Sequence, residues 1–193
     1  MSVAKQGERL PPIPEQEQTP AQKKSVTALV SGSRRDVRGP FIALLRSPAL
    51  LDRVHPVGEY LRFRSVVPSK LRELAILATA RFWQQTYEWH AHLTGAIEAG
   101  LSQATLDHLI RDSDGTGLAD DERIVIGFCR ELHRGHAVSD LSYEAAKNLL
   151  GEDGVVELCG LCGYYGLLAM VMNVARTSLP PSAQVPFSLP GEG

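Results

Sequence analysis

A carboxylate and an imidazole one helical turn apart, Glu88 and His92, are the residues of this chain best suited by type and spacing to move a proton. They lie in Tyr87-Glu88-Trp89-His90-Ala91-His92, directly after the polar break Gln84-Gln85-Thr86. A spacing of four puts Glu88 and His92 on one face of a helix, whereas His90 points elsewhere and stands at the rim. A neighbouring carboxylate favours the imidazolium and raises its pKa, which suits a general acid near neutral pH. The same spacing also describes an ordinary surface ion pair worth a few tenths of a kcal/mol. Metal binding is the other chemistry open to such residues. It would need a third ligand, and the spacing matches neither H-E-x-x-H nor a Cys/His finger. The expectation is therefore no metal and no other cofactor.

Three further groups bear on chemistry. Glu73 sits between Arg72 and Leu74 in a segment that is apolar on most sides. Facing inward it requires a partner, because a lone buried carboxylate is costly, and facing outward it is a solvated charge. Cys159-Gly160-Leu161-Cys162 is a C-x-x-C, a spacing that serves redox or metal sites. It falls inside an apolar run rather than at a helix start, so a low-relief surface of small residues for a neighbouring helix is the plainer reading. His108, His133 and His136 read as surface residues near helix ends, and His55 as a hydrogen-bonded structural histidine.

The elements that must position these residues are helical. Thr19-Pro20 is a capping residue followed by a good first helical residue, and Ser31-Gly32-Ser33 is a stop. Gly39-Pro40 breaks the chain before a short apolar turn. Ser47-Pro48 starts a helix that Pro56 is expected to interrupt or kink. Leu71, Leu74, Ile76 and Leu77 mark a helix over about 68–83. Thr86 is the expected cap of the helix carrying the Glu88/His92 pair, which Gly100 closes. A short helix follows Ser102, and 112–117 is a loop. Asp120 or Asp121, then Ser139 or Ser142, open the next two helices, with Gly151 as a break before the last apolar one. No alternating strand or hairpin signal appears, so the fold class is all-α: a single domain over 20–180, a flexible N-terminal arm over 1–19 and an extended tail over 181–193.

At 193 residues and a net charge of −2, the chain has room for one core and no basic stripe for nucleic acid. Three cysteines make no disulfide framework, and the N-terminal stretch lacks an apolar signal-peptide core; both point to the cytoplasm. The apolar run Val155–Ala175 is long enough to span a bilayer. Glu157, Asn173 and several glycines favour a buried central helix instead.

The run RELAILATARFWQQTYEWHAHLTGAIEAGLS, residues 72–102, resembles the carboxymuconolactone decarboxylase family, which includes the AhpD-like alkylhydroperoxidases. GPFIALLRSPALL, VGEYLRFRSVVPSKLREL and GYYGLLAMVMNVAR extend the resemblance over about 20–180. The peroxidase branch has a pattern similar to E-x(11)-C-x-x-C-x-x-x-H. Laid on this chain, its Glu falls on Glu73, its His on His92, and its two cysteines on Gln85 and Glu88. The resemblance thus keeps the proton-handling residues and loses both thiols, so it implies an AhpD-like helical bundle of the branch without thiol chemistry. It implies acid–base decarboxylation or isomerisation of a small lactone or organic acid, a lyase role. His92 would be the general acid, and Glu88 or Glu73 would orient or tune it. Tyr87 and His90 would bind substrate, and Arg64 or Arg81 would hold a carboxylate. Alternatives are a remnant peroxidase or disulfide reductase, or a non-catalytic small-molecule-binding oligomer. The resemblance also implies self-association as a dimer, trimer or hexamer.

Overall fold

The computed structural model describes residues 7–32, 36–111, 115–181, 183 and 187. The expectations for residues 1–6, for Ser33, for 112–114 and for most of the tail lie outside these. Among the described residues there are eight α-helices and no strand: α1 (Pro20–Ser31), α2 (Pro40–Leu44), α3 (Pro48–Phe63), α4 (Ser69–Phe82), α5 (Thr86–Glu98), α6 (Gln103–Arg111), α7 (Asp120–Gly135) and α8 (Asp140–Ala175). The all-α class expected from the sequence is what the chain adopts.

Local signals account for most of the helix ends. Thr19 accepts from the Gln22 amide while the Gln22 side chain accepts from the Thr19 amide, a reciprocal capping box with Pro20 behind it. Ser139 caps α8 by accepting from the Ser142 amide at 3.3 Å. Gly151 (φ +78°) breaks α8 into a short and a long rod, at the residue expected to close the earlier helix. Two expectations need correction. Gln85, not Thr86, caps α5: its side-chain oxygen accepts from the Tyr87 amide at 2.8 Å, and Thr86 is already helical. Pro56 does not interrupt α3, which runs through it. Pro56 and Asp52 are both exposed, so the missing hydrogen bond lies on the solvent side of α3. Pro56→Ala restores that N–H and should stabilise the protein by about 1–3 kcal/mol. Thermal unfolding checks this, at roughly 2–4 °C per kcal/mol for a chain of this size; an unchanged or lower midpoint would show that the proline is better accommodated than its position implies.

α4 is the hub. It packs against α5, α7 and α8, and Leu74, Ala75, Ile76, Leu77 and Ala80 are all fully buried. Burial this complete, at about 25 cal/mol per Å2 of apolar surface, makes α4 the element least free to move. α8 is long and apolar enough to cross a membrane by length and composition, but 56% of its apolar window is buried inside the helical body. Its polar exceptions are used: Glu157 accepts from Tyr60 and from the Val66 amide. Asn173 donates to the Trp83 carbonyl at 2.9 Å and accepts from Gln85 at 2.7 Å. The second set ties the end of α8 to the α4–α5 turn, where Gln84 takes a positive φ. Residues before α1 lie along the body: the Arg9 amide donates to the Ala175 carbonyl at 2.8 Å, and Arg46 donates to the Leu10 carbonyl.

Candidate active site

α4 and α5 form a tight helical hairpin, so residues near the middle of each face one another. Glu73 and His92 meet there. His92 Nδ1 lies 2.7 Å from Glu73 Oε2, and Nε2 lies 3.4 Å from Glu88 Oε1. All three side chains are buried. The inward reading of Glu73 therefore holds, and its partner is the histidine. Gly95, one turn beyond His92, lies beside this carboxylate: a Cβ there would make ordinary van der Waals contact with its carbon at 3.7 Å. The far wall is Tyr165 of α8, whose ring meets the imidazole edge-on at 5.1 Å between centroids.

The electrostatics keep the imidazole charged. Burial opposes the imidazolium, but the hydrogen bonds to Glu73 and Glu88 and their charges outweigh it, and the His92 pKa is raised. Burial likewise opposes ionised Glu73, yet the contact with His92, then the charges of His92, Arg62 and Arg72, lower its pKa. Burial pushes the Tyr165 phenol up, so it stays protonated. Glu88 Oε2 is buried with no hydrogen-bond partner among the described residues, an open acceptor on the Nε2 side of the ring. An imidazolium braced on one nitrogen by a carboxylate, with its other N–H aimed at a second, is a proton donor held in one orientation.

Residues 48–123 match the carboxymuconolactone decarboxylase family. That segment runs from the start of α3 into the first turns of α7 and contains Glu73, Glu88 and His92. The family resemblance read from the sequence is thus shown over residues 48–123. No curated protein matches the chain. Gln85 and Glu88, which the resemblance sets at the two thiol positions of the peroxidase branch, are here a buried capping amide and a buried carboxylate within the decarboxylase-family segment.

The remaining residues singled out from sequence are spread more widely. Tyr87 opens α5 half-buried, its ring packed where a Cβ on Gly39 would be. His90 is half-buried outside the Glu73–His92–Glu88 cluster. Arg64 is exposed at the C-cap of α3. Arg81 donates to the Ile110 carbonyl at 3.3 Å and lies over the Phe187 ring. The guanidinium whose charge reaches both Glu73 and Tyr165 belongs to Arg62. Sequence reading passed over it, although a signal was present: Gly58, Leu61 and Arg62 share the inward face of α3, and Arg64 falls off it. Tyr165 was hidden in an apolar run where a tyrosine reads as core. The C-x-x-C does not act as a unit. Cys159 is exposed, whereas Cys162 is buried 3.5 Å from Cys129 of α7.

Proposed function

We propose that this chain is an acid–base enzyme acting on a small lactone or organic acid, as a decarboxylase or isomerase, with His92 as the general acid. The observation that carries the reading is the buried imidazole with a carboxylate at each ring nitrogen. When a lactone acid loses CO2, the electron pair of the broken C–C bond passes into the conjugated carbonyl as an enolate. The enzyme must then orient the carboxylate, hold the enolate and deliver a proton to carbon. In this reading Glu73 fixes the ring through Nδ1. His92 donates from Nε2, directly or by way of Glu88, and the charge of Arg62 serves the anion-holding role first sought in Arg64 or Arg81. Tyr87 and His90 are the substrate contacts nearest in sequence. Direct thiol chemistry at the Gln85 and Glu88 positions has no nucleophile.

The test is turnover in D2O with a carboxymuconolactone as probe. Decarboxylation gives CO2 and a product with one solvent deuterium on carbon. Isomerisation gives the deuterium without CO2. Binding with neither would replace the enzyme by a ligand-binding protein.

We further propose that the chain works as a cytoplasmic homo-oligomer. Val156, Met170 and Val174 are 69%, 45% and 61% exposed along one stripe of α8, with Cys159 and Gly163 exposed between them. A second copy is the occupant that an apolar stripe of helical period suits best. Light scattering on Val174→Lys should show a smaller assembly than the parent chain.

A further inference from the structure

Away from His92, α4, α6 and α7 line a half-open cavity of about 220 Å3. Its apolar wall includes Phe82 and Ile126, its rim carries Arg81, Arg130 and Arg134, and Cys129 and His133 lie in its lining. Behind Cys129 sits Cys162 of α8, Sγ to Sγ at 3.5 Å. His133 stacks on Phe82 at 4.7 Å between ring centroids, and its Nε2 lies 3.0 Å from Thr79 Oγ1. Thr79 Oγ1 also donates to the Ala75 carbonyl, which fixes the hydroxyl on the inner side of α4. Two thiols in contact, polar partners beside them and an opening to one of them is more than packing requires.

We propose that Cys129 and Cys162 are a site of oxidative modification, where a small hydroperoxide entering the cavity converts the pair to a disulfide between α7 and α8. The electrostatics agree with the geometry. The hydrogen bond from Cys129, against burial, and then the contacts with His133 and Thr79 pull the Cys162 thiol down to about 5, while Cys129 is raised well above its ordinary value. The pair therefore shares one proton, held by Cys129. Cys129 sulfur attacks the hydroxyl oxygen of the hydroperoxide as its proton passes to the Cys162 thiolate. An S–O bond forms, the O–O bond breaks, and the alkoxide (hydroxide from hydrogen peroxide) leaves toward the arginine rim. Cys162 sulfur then attacks the Cys129 sulfenic acid. The S–S bond forms, and the hydroxyl departs with the proton from Cys162 as water. An external dithiol would reverse the bond by exchange. A disulfide is about 2.05 Å long, so the two sulfurs must close by about 1.5 Å.

The experiment treats the reduced full chain with hydrogen peroxide and maps thiols and cross-linked peptides by mass spectrometry without reductant. The expected product is a Cys129–Cys162 disulfide reversed by dithiothreitol, formed about tenfold or more faster than exposed Cys159 is oxidised, since the Cys162 thiolate takes the Cys129 proton during attack and then resolves the sulfenic acid, whereas Cys159 has no such partner and burial pushes its thiol up. Cys162→Ser should stop at a Cys129 sulfenic acid that dimedone traps. Oxidation of Cys159 first, with Cys129 and Cys162 still thiols in the folded parent chain, would overturn the proposal. So would a disulfide that forms only under unfolding conditions. The parent-chain readout decides the matter even if the serine variant fails to fold.

Discussion

Turnover of a responsive lactone acid should fall by about 10²–10⁴-fold in His92→Gln, the usual contribution of a positioned general acid. Glutamine places an amide near the Nε2 position, where it can still donate to Glu88, but cannot hold a transferable proton, so the change separates chemistry from architecture. Circular dichroism should show an unchanged helical fold. The pH dependence gives a second readout. The His92 pKa is raised, so the stabilisation from its charged form is complete below the unfolded value and is lost as pH rises through the folded one. The Glu73 pKa is lowered, so its share is complete above the unfolded carboxylate value and is lost as pH falls through the folded one. Stability from the pair is therefore greatest between those limits and declines above the raised histidine value, and His92→Gln should flatten that upper decline. Turnover within tenfold of the parent chain would remove the imidazole as proton donor.

Gly39→Ala should be among the most damaging single changes outside the core. Gly39 has φ +56° and ψ −128°, a conformation that side chains rarely adopt and that costs roughly 1–3 kcal/mol when forced. A Cβ there would also sit 2.5 Å from Tyr87 Cε1, and relieving such overpacking costs about 1–3 kcal/mol more. The tyrosine cannot yield freely, because it opens α5 one residue before Glu88. The expected result is a loss of about 2–6 kcal/mol in urea unfolding, with weakened turnover because the displaced helix carries both Glu88 and His92. A variant as stable as the parent would mean that the loop before α2 re-forms without the left-handed turn.

The parts of the fold and site that were legible in the sequence are those fixed by neighbours along the chain. Thr19-Pro20, Gly151 and Ser139 act within one turn and were found where they act. The Glu88/His92 pair followed from helical spacing, but spacing alone favoured an ordinary surface ion pair. Only the α4–α5 hairpin brings Glu73 to the other ring nitrogen, and that meeting, between residues 19 apart, turns a surface pair into a buried triad. Of the two effects expected of Pro56, interruption does not occur: α3 continues through it, because tolerance of a proline inside a helix depends on what surrounds it, a tertiary property. Cys162 pairs with a cysteine 33 residues away rather than with Cys159 three away, since Cys162 is buried against α7 while Cys159 lies at the exposed edge of that side of α8.

The amide clamp at the α4–α5 turn constrains how this lineage can change. Gln85 occupies a position where the resembling peroxidase branch carries a thiol, yet here it caps α5 through Tyr87 and binds Asn173. Exchanging it for cysteine would remove a cap, at about 0.5–2 kcal/mol, and strand the Asn173 carbonyl oxygen, at about 1–3 kcal/mol. Cysteines introduced at 85 and 88 would thus meet packing built on the residues now present. Asn173 would have to change in step, from the far end of the molecule's longest helix. Thiol chemistry is therefore shut out of this turn twice over: the residues present offer no thiol, and an interaction almost ninety residues away in sequence holds Gln85 in its place.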